Sequence, residues 1–278
     1  MKFGPAFEHR PRIPDPGSRS PNPGIAFEGC GCRAAFHVGA VEWLVAHGVD
    51  FSAVAGASSG ALIAGAVALR RTSELRPAWM DVIGARVCDP RRLLRGRWPF
   101  RMSEIVGGAA ETYFGDTRLG DTAIPLAIVV TQLRARGFER RTLTARDEVR
   151  LSAAVRASCF IPGPYSRMVP IDRCLTFDGA WLLRVPVAEA ASLGAPRVIA
   201  CVSDEGGRLL RGALRAVEVE APPGVDYRVL SPVARVPVRT FDFDRDATLE
   251  SFDIGARSAE AFVAANRDWL TGALRPQK

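Results

Sequence analysis

Residues Val54-Ala55-Gly56-Ala57-Ser58-Ser59-Gly60-Ala61-Leu62 join an apolar run at 51–55 to a helix-like run at 61–69. The joint reads Gly-x-Ser-x-Gly between a strand and a helix, the context of a nucleophile elbow. On so tight a turn a Cβ at Gly56 or Gly60 would strike the neighbouring strand or helix, so only glycine fits there. The turn lifts the Ser58 hydroxyl off the sheet. The following helix aims its unbonded N–H groups and positive dipole end at the same spot. Residues 51–69 also carry no charge and approach the length of a membrane-spanning helix. They are mostly Ala, Gly and Ser, whereas insertion depends on Leu, Ile, Phe and Val. A buried strand and helix is therefore expected.

Upstream, residues 24–28 read as a strand that ends in a second glycine-rich turn, Gly29-Cys30-Gly31-Cys32-Arg33-Ala34. A helix follows to Ala46, with Phe36, Ala40, Val41, Leu44 and Val45 on its apolar positions. This βαβ unit places both turns at one edge of a parallel sheet, where such sheets bind ligands. Downstream, helices are expected over 74–87, 103–113 (capped by Ser103), 147–157 and 187–193. Strands are expected at 126–131 and 198–202, with a hairpin arm at 138–144. Residues 175–177 run into Asp178-Gly179, and a long helix spans about 247–270. The alternation predicts an α/β fold with a mostly parallel central sheet flanked by helices. One domain is expected over 24–278, its core at 24–202 and its part at 203–278 less well specified. Residues 1–23, with six prolines among polar residues, read as a disordered leader.

The net charge of +7 is carried by arginine, lysine occurring only at Lys2 and Lys278. Nothing resembles a zinc finger, an RNA-binding aromatic motif or a basic zipper, so no nucleic-acid partner is expected. The six cysteines are scattered, and the first twenty residues lack the apolar core of a signal peptide. Reduced thiols and a cytoplasmic protein follow as the expectation. Cys30-Gly31-Cys32 has no second pair or nearby His to complete a ligand set, so neither metal nor cofactor is expected. Residues 89–102 interleave five arginines with Leu93, Leu94, Trp98 and Phe100. They read either as a solvated loop or as a transient, peripheral contact with an anionic membrane.

Three chemistries compete for the two turns. Gly29-x-Gly31-x-x-Ala34 after a strand matches a dinucleotide fingerprint, which needs an acidic residue at the end of the second strand. Asp50 lies before that strand instead. A Ser–acid–His triad needs a histidine after the elbow, but His9, His37 and His47 all precede Ser58. His37 and His47 fall on the first helix, as partly exposed structural residues. The third chemistry is a Ser–Asp pair with a glycine-rich oxyanion loop.

Here Gly29-Cys30-Gly31-Cys32-Arg33-Ala34, Gly56-Ala57-Ser58-Ser59-Gly60 and Asp178-Gly179-Ala180 resemble, in order and spacing, the three motifs of the patatin-like phospholipases. Ala157-Ser158-Cys159-Phe160-Ile161-Pro162-Gly163 and Val185-Pro186-Val187 resemble the family too. The resemblance covers roughly 24–202. It implies a three-layer α/β sandwich and hydrolysis of acyl esters of phospholipids or glycolipids. Ser58 is the implied nucleophile and Asp178 the implied base, in a site dry enough to raise its pKa. The N–H groups of Cys30, Gly31 and Cys32 would hold the oxyanion, with Arg33 flanking the loop. Cys30 and Ala34 stand where the family has glycine, which is tolerable wherever φ is negative. The alternatives are a relative that binds lipid or acts as a scaffold without turnover, and a dinucleotide-binding protein.

Overall fold

The computed structural model describes residues 21–204, 208–211, 215–219 and 221–271. The expected disordered leader lies almost wholly outside them. Buried apolar runs form the middle of the sheet: β1 (Gly24–Phe27), β2 (Ala53–Ala57) and β3 (Leu126–Arg134). They are followed by β4 (Gly137–Leu143), β5 (Thr176–Phe177) and β6 (Val198–Cys201). β7 (Arg208–Arg211) and β8 (Arg215–Glu218) pair only with each other, and β9 (Tyr227–Leu230) completes the main sheet.

The strand order is β4-β3-β2-β1-β6-β9, with β5 also on β3. The β3–β2, β2–β1, β1–β6 and β6–β9 pairs are parallel, and β4 and β5 run antiparallel to β3. Each buried strand sends alternate side chains to opposite faces. Ile25, Phe27, Val54, Ile128 and Val130 belong to the larger core cluster. It is covered by α1 (Ala35–Ala46), α2 (Ser59–Ala68), α5 (Leu151–Ser158) and α7 (Arg245–Thr271). Ala26, Ala55, Ala127 and Ala200 point the other way, where α6 (Val187–Ser192) packs close on alanine. Helix, sheet and helix make the three layers.

Several boundaries differ from the sequence reading. β2 extends to Ala57, so the elbow begins one residue before Ser58. The helix expected over 74–87 is α3 (Leu75–Asp81) alone, because Gly84 adopts φ +75° and donates its N–H to Phe243. α4 (Met102–Phe114) is capped at Arg101, not by Ser103, whose hydroxyl instead accepts the N–H groups of Ser166 and Arg167. α5 starts at Leu151 because Asp147 closes a turn, its carboxylate accepting the Thr144 N–H at 2.8 Å. β9 had no counterpart in the sequence reading. No helix among the described residues is long and apolar enough to cross a membrane.

α1 and α7 cross at Gly39 and Gly255. A Cβ on Gly39 would overlap the Phe252 carbonyl, and one on Gly255 the Phe36 carbonyl. Overpacking of this kind costs about 1–3 kcal/mol, and in a chain of this size each kcal/mol lowers Tm by about 2–4 °C. Gly39→Ala should therefore lower the melting temperature by several degrees. Gly108→Ala, on α4 with open space around it, should hold or raise it by helix propensity. Equal shifts in calorimetry would show that the crossing is not backbone-limited.

Candidate active site

The register of β3 brings the two sequence-predicted polar residues together. β2 pairs with β3 only as far as Ala57 opposite Val129. Beyond that point β4 holds the other edge of β3, so β5 takes the edge β2 has vacated, running back from Thr176 opposite Gln132 to Phe177 opposite Thr131. The next residue, Asp178, arrives in front of the end of β2. The Ser58 hydroxyl donates to Asp178 Oδ2 at 2.6 Å.

Each partner is fixed by its backbone. Ser58 has φ 51° and ψ −128°, a conformation that costs an L residue on the order of 1–3 kcal/mol and persists only where the surroundings impose it. Its N–H donates at 2.8 Å to the hydroxyl of Ser158, which donates in turn to the Val129 carbonyl. Ser158 thus ties the elbow to β3, a role that its sequence motif alone did not disclose. At Gly56 a Cβ would overlap the Gly60 carbonyl, and at Gly60 the Phe27 carbonyl. Asp178 is held by its N–H to the Phe160 carbonyl, by its carbonyl from the Thr131 hydroxyl, and by Oδ1 from the Ala180 N–H at 2.8 Å.

Asp178 is 1% exposed and no cation is among the groups that shift it. Burial pushes its carboxyl up to about 7, against the smaller downward pulls of Ser58 and Ala180. A carboxylate in that range is a competent base near neutral pH.

The glycine-rich turn lies against this pair. Gly31 carries the positive φ, 63°, and a Cβ there would overlap the Thr240 carbonyl. Cys30 has φ −143°, outside the left-handed region that favours glycine. The three N–H donors implied by the resemblance differ in what they already bind. Cys30 N–H donates to the Ser59 hydroxyl at 3.1 Å, and Cys32 N–H to Thr240 at 2.9 Å. The N–H groups of Gly31 and Ser59 have no acceptor among the described residues. Both residues line the cavity that holds Ser58 and Asp178. Arg33 is bonded to the Ser203 carbonyl and lies 2.9 Å from Asp204.

Behind the turn, Glu28, Cys30 and His37 place one ligand-type atom each within 4.8 Å of one another. Glu28 is already engaged by Arg184 and by the Ser203 N–H and hydroxyl. Burial drives the Cys30 thiol upward. It also drives His37 down to about 3, helped by Arg33 and Arg184. Two arginines beside the cluster oppose a cation, so it fits a neutral polar core better than a metal site. His37 is fully buried, not partly exposed as read from sequence, while His47 stacks on Trp43 at 3.7 Å.

The cavity measures about 410 Å³. Its walls are helical stripes: Leu62 and Ala66 from α2, Leu75, Ala78 and Trp79 from α3 with Val82 just past its end, and Met102, Ile105, Val106, Ala109 and Tyr113 from α4. The spacings of three and four residues put each set on one helix face. Arg33, Arg184, Asp204 and Thr240 line the same cavity beside the glycine-rich turn. The site therefore joins a nucleophile-type pair and two open N–H groups to a long apolar chamber.

The sequence model of the patatin-like phospholipases matches residues 25–191. An NTE family protein of Mycobacterium tuberculosis and one of Mycobacterium bovis are each 29% identical over 233 residues, covering 81% of this chain. The chain spans 59% of the length of those relatives. Among solved structures, VipD from Legionella pneumophila superposes with a TM-score of 0.53 at 10% identity, over 88% of this chain and 67% of that one. That likeness speaks to the fold alone.

Burial of Asp178 has a consequence for stability. Between the ordinary value of 3.8 and the folded value of about 7, the folded protein holds a proton that the unfolded chain has released. The contribution is therefore most favourable at low pH and is lost as pH rises to about 7. Asp178→Asn removes this loss. Relative to the variant, the parent should lose on the order of a few kcal/mol between pH 4.5 and 7.5. Parallel denaturation curves for the two proteins across that range would show Asp178 to be solvated.

Proposed function

The chain belongs to the patatin-like phospholipase family, and from that premise we propose that it is a lipid acyl hydrolase working through Ser58 and Asp178. The observation that carries this reading is the 2.6 Å hydrogen bond from Ser58 to a buried, cation-free Asp178 at the head of an apolar cavity. Residues 24 onward act as one domain in this reading, since β9 extends the sheet and Thr240 braces the glycine-rich turn.

An ester enters with its acyl chain between α2, α3 and α4 and its carbonyl over Ser58. Ser58 Oγ attacks the carbonyl carbon while Asp178 Oδ2 takes the hydroxyl proton. Negative charge gathers on the carbonyl oxygen and is met by the N–H groups of Gly31 and Ser59, at the positive end of α2. The C–O bond to the alcohol breaks as Asp178 returns its proton to the departing oxygen, leaving an acyl ester on Ser58. Water then gives a proton to Asp178 and its oxygen to the acyl carbon. The fatty acid leaves as Ser58 regains its proton. The apolar walls and the fully buried Asp178 suit this sequence, because a dry site keeps the base near neutral and strengthens the oxyanion contacts. The lipid is met at a membrane surface, by peripheral contact.

Hydrolysis of short-chain nitrophenyl esters and of phospholipid in detergent tests the reading. Ser58→Ala should abolish turnover. Asp178→Asn should lower kcat by about a hundredfold to ten-thousandfold. The parent's kcat/KM should rise with pH through about 7 as Asp178 loses its proton, and the Asn variant should lose that rise. Turnover that survives in pure Ser58→Ala protein would remove the proposal. A parent with no hydrolysis of any ester would favour the lipid-binding alternative.

A further inference from the structure

Five of the eleven exposed large apolar residues among the described ones gather in one place: Leu133, Phe138, Leu175, Trp181 and Leu182, each between 38% and 52% exposed. The sheet register explains the patch. Leu133 and Phe138 face one another across the β3–β4 ladder, and the Leu133 N–H donates to the Leu175 carbonyl at 2.9 Å. The Phe138 ring meets Phe177 edge-on at 5.4 Å and Trp181 at 5.9 Å, and Trp181 stacks on Phe177. Trp181 also lines the cavity of Ser58 and Asp178. The patch therefore starts at the cavity mouth and runs out along the β3–β4 hairpin.

Its fringe is cationic. Residues 133–141 and 172–175 carry Arg134, Arg136, Arg140, Arg141 and Arg173 against Glu139 and Asp172. Arg140 pairs with Glu189, and Arg141 with Asp147 and Asp172. Arg136 and Arg173 have no ion-pair partner among the described residues. The arginine-rich segment 89–102 also exposes Leu93, Leu94 and Trp98, but of its residues only Met102 lines the cavity of Ser58 and Asp178. Its Arg92 and Arg101 are paired with Glu104, and the Trp98 indole N–H is bonded to the Gly163 carbonyl at 2.7 Å.

We propose that the exposed face formed by Leu133, Phe138, Leu175, Trp181 and Leu182, with its fringe of Arg136 and Arg173, docks on an anionic lipid bilayer and opens the cavity onto it. The proposal rests on the lipid-hydrolase reading for its occupant. Aromatic rings beside free arginines match the apolar and phosphate layers of such a surface. Docking there gives an acyl chain a path from bilayer to Ser58 that stays against apolar side chains.

The 278-residue chain carrying Ser58→Ala, sedimented with vesicles of phosphatidylcholine with or without phosphatidylglycerol, reads docking independently of turnover. Binding should favour the anionic vesicles and weaken with salt. Leu133→Ser with Phe138→Ser should lower partitioning by at least about tenfold. Arg136→Gln with Arg173→Gln, which disturbs no packing, should lower it by roughly fivefold per arginine. Arg95→Ser with Arg97→Ser, in the 89–102 segment, should leave it unchanged. No vesicle binding by the parent overturns the proposal. So does parent-like binding by both patch variants, or loss only in the Arg95/Arg97 variant. Concentration-dependent self-association that disappears with Leu133→Ser/Phe138→Ser, without vesicle binding, would assign the face to a second protein copy instead. Vesicle binding by a protein that hydrolyses nothing would sink the hydrolase reading and leave the docking face standing.

Discussion

A carboxylate buried without a cation is the constraint on which the rest of this structure depends. Among the described residues, Asp178 accepts on its oxygens only a serine hydroxyl and one backbone N–H, so its ionised form is costly and burial raises its pKa to about 7. Holding such a group beside Ser58 requires two strand ends to converge on one edge of β3. β2 stops at Ala57 and β5 fills the space beyond it. Ser158 then fastens the elbow from below, and Thr131 fastens Asp178 from the side. The strained φ of Ser58 and the cost of burying Asp178 oppose folding by a few kcal/mol together. The apolar packing of the buried middle strands offsets them, the usual balance between a poised site and its scaffold.

The sequence made the parallel core legible because its strands are buried on both faces. Runs such as Ile25-Ala26-Phe27 and Leu126-Ala127-Ile128-Val129-Val130 admit few other readings. The two glycine-rich turns were legible through backbone necessity, since a Cβ cannot enter between β2 and α2. The pairing of Asp178 with Ser58 was implied by the family resemblance alone. Their separation of 120 residues is bridged by a two-residue strand, β5, too short to carry a pattern of its own. β9 was hidden for a similar reason: Tyr227-Arg-Val-Leu is one short edge strand after a proline-bearing stretch. The long helix α7 was visible by its apolar period, but its contact with Gly39 of α1 depends on tertiary geometry alone.

The glycine-rich turn shows how local chemistry and tertiary contact divide the work. Cys30, standing where the family has glycine, has negative φ, while the left-handed position falls on Gly31. Which N–H groups stay open is decided elsewhere in the chain. Thr240, far along the sequence, takes the Cys32 N–H, and Ser59 takes that of Cys30. Arg33 and Arg184 are engaged by Asp204 and Glu28. The polar end of the cavity is thus built from pairs that brace the turn, and its apolar length is set by stripes on α2, α3 and α4.

The central claim is that Ser58 is a nucleophile activated by Asp178 at the head of an acyl chamber. Peptide mapping by mass spectrometry, after treatment with a long-alkyl fluorophosphonate, tests it most directly. One adduct is expected, on the peptide containing Ser58, formed much more slowly in Asp178→Asn protein. Absence of any adduct on folded protein, or modification spread over other serines with Ser58 untouched, would contradict it.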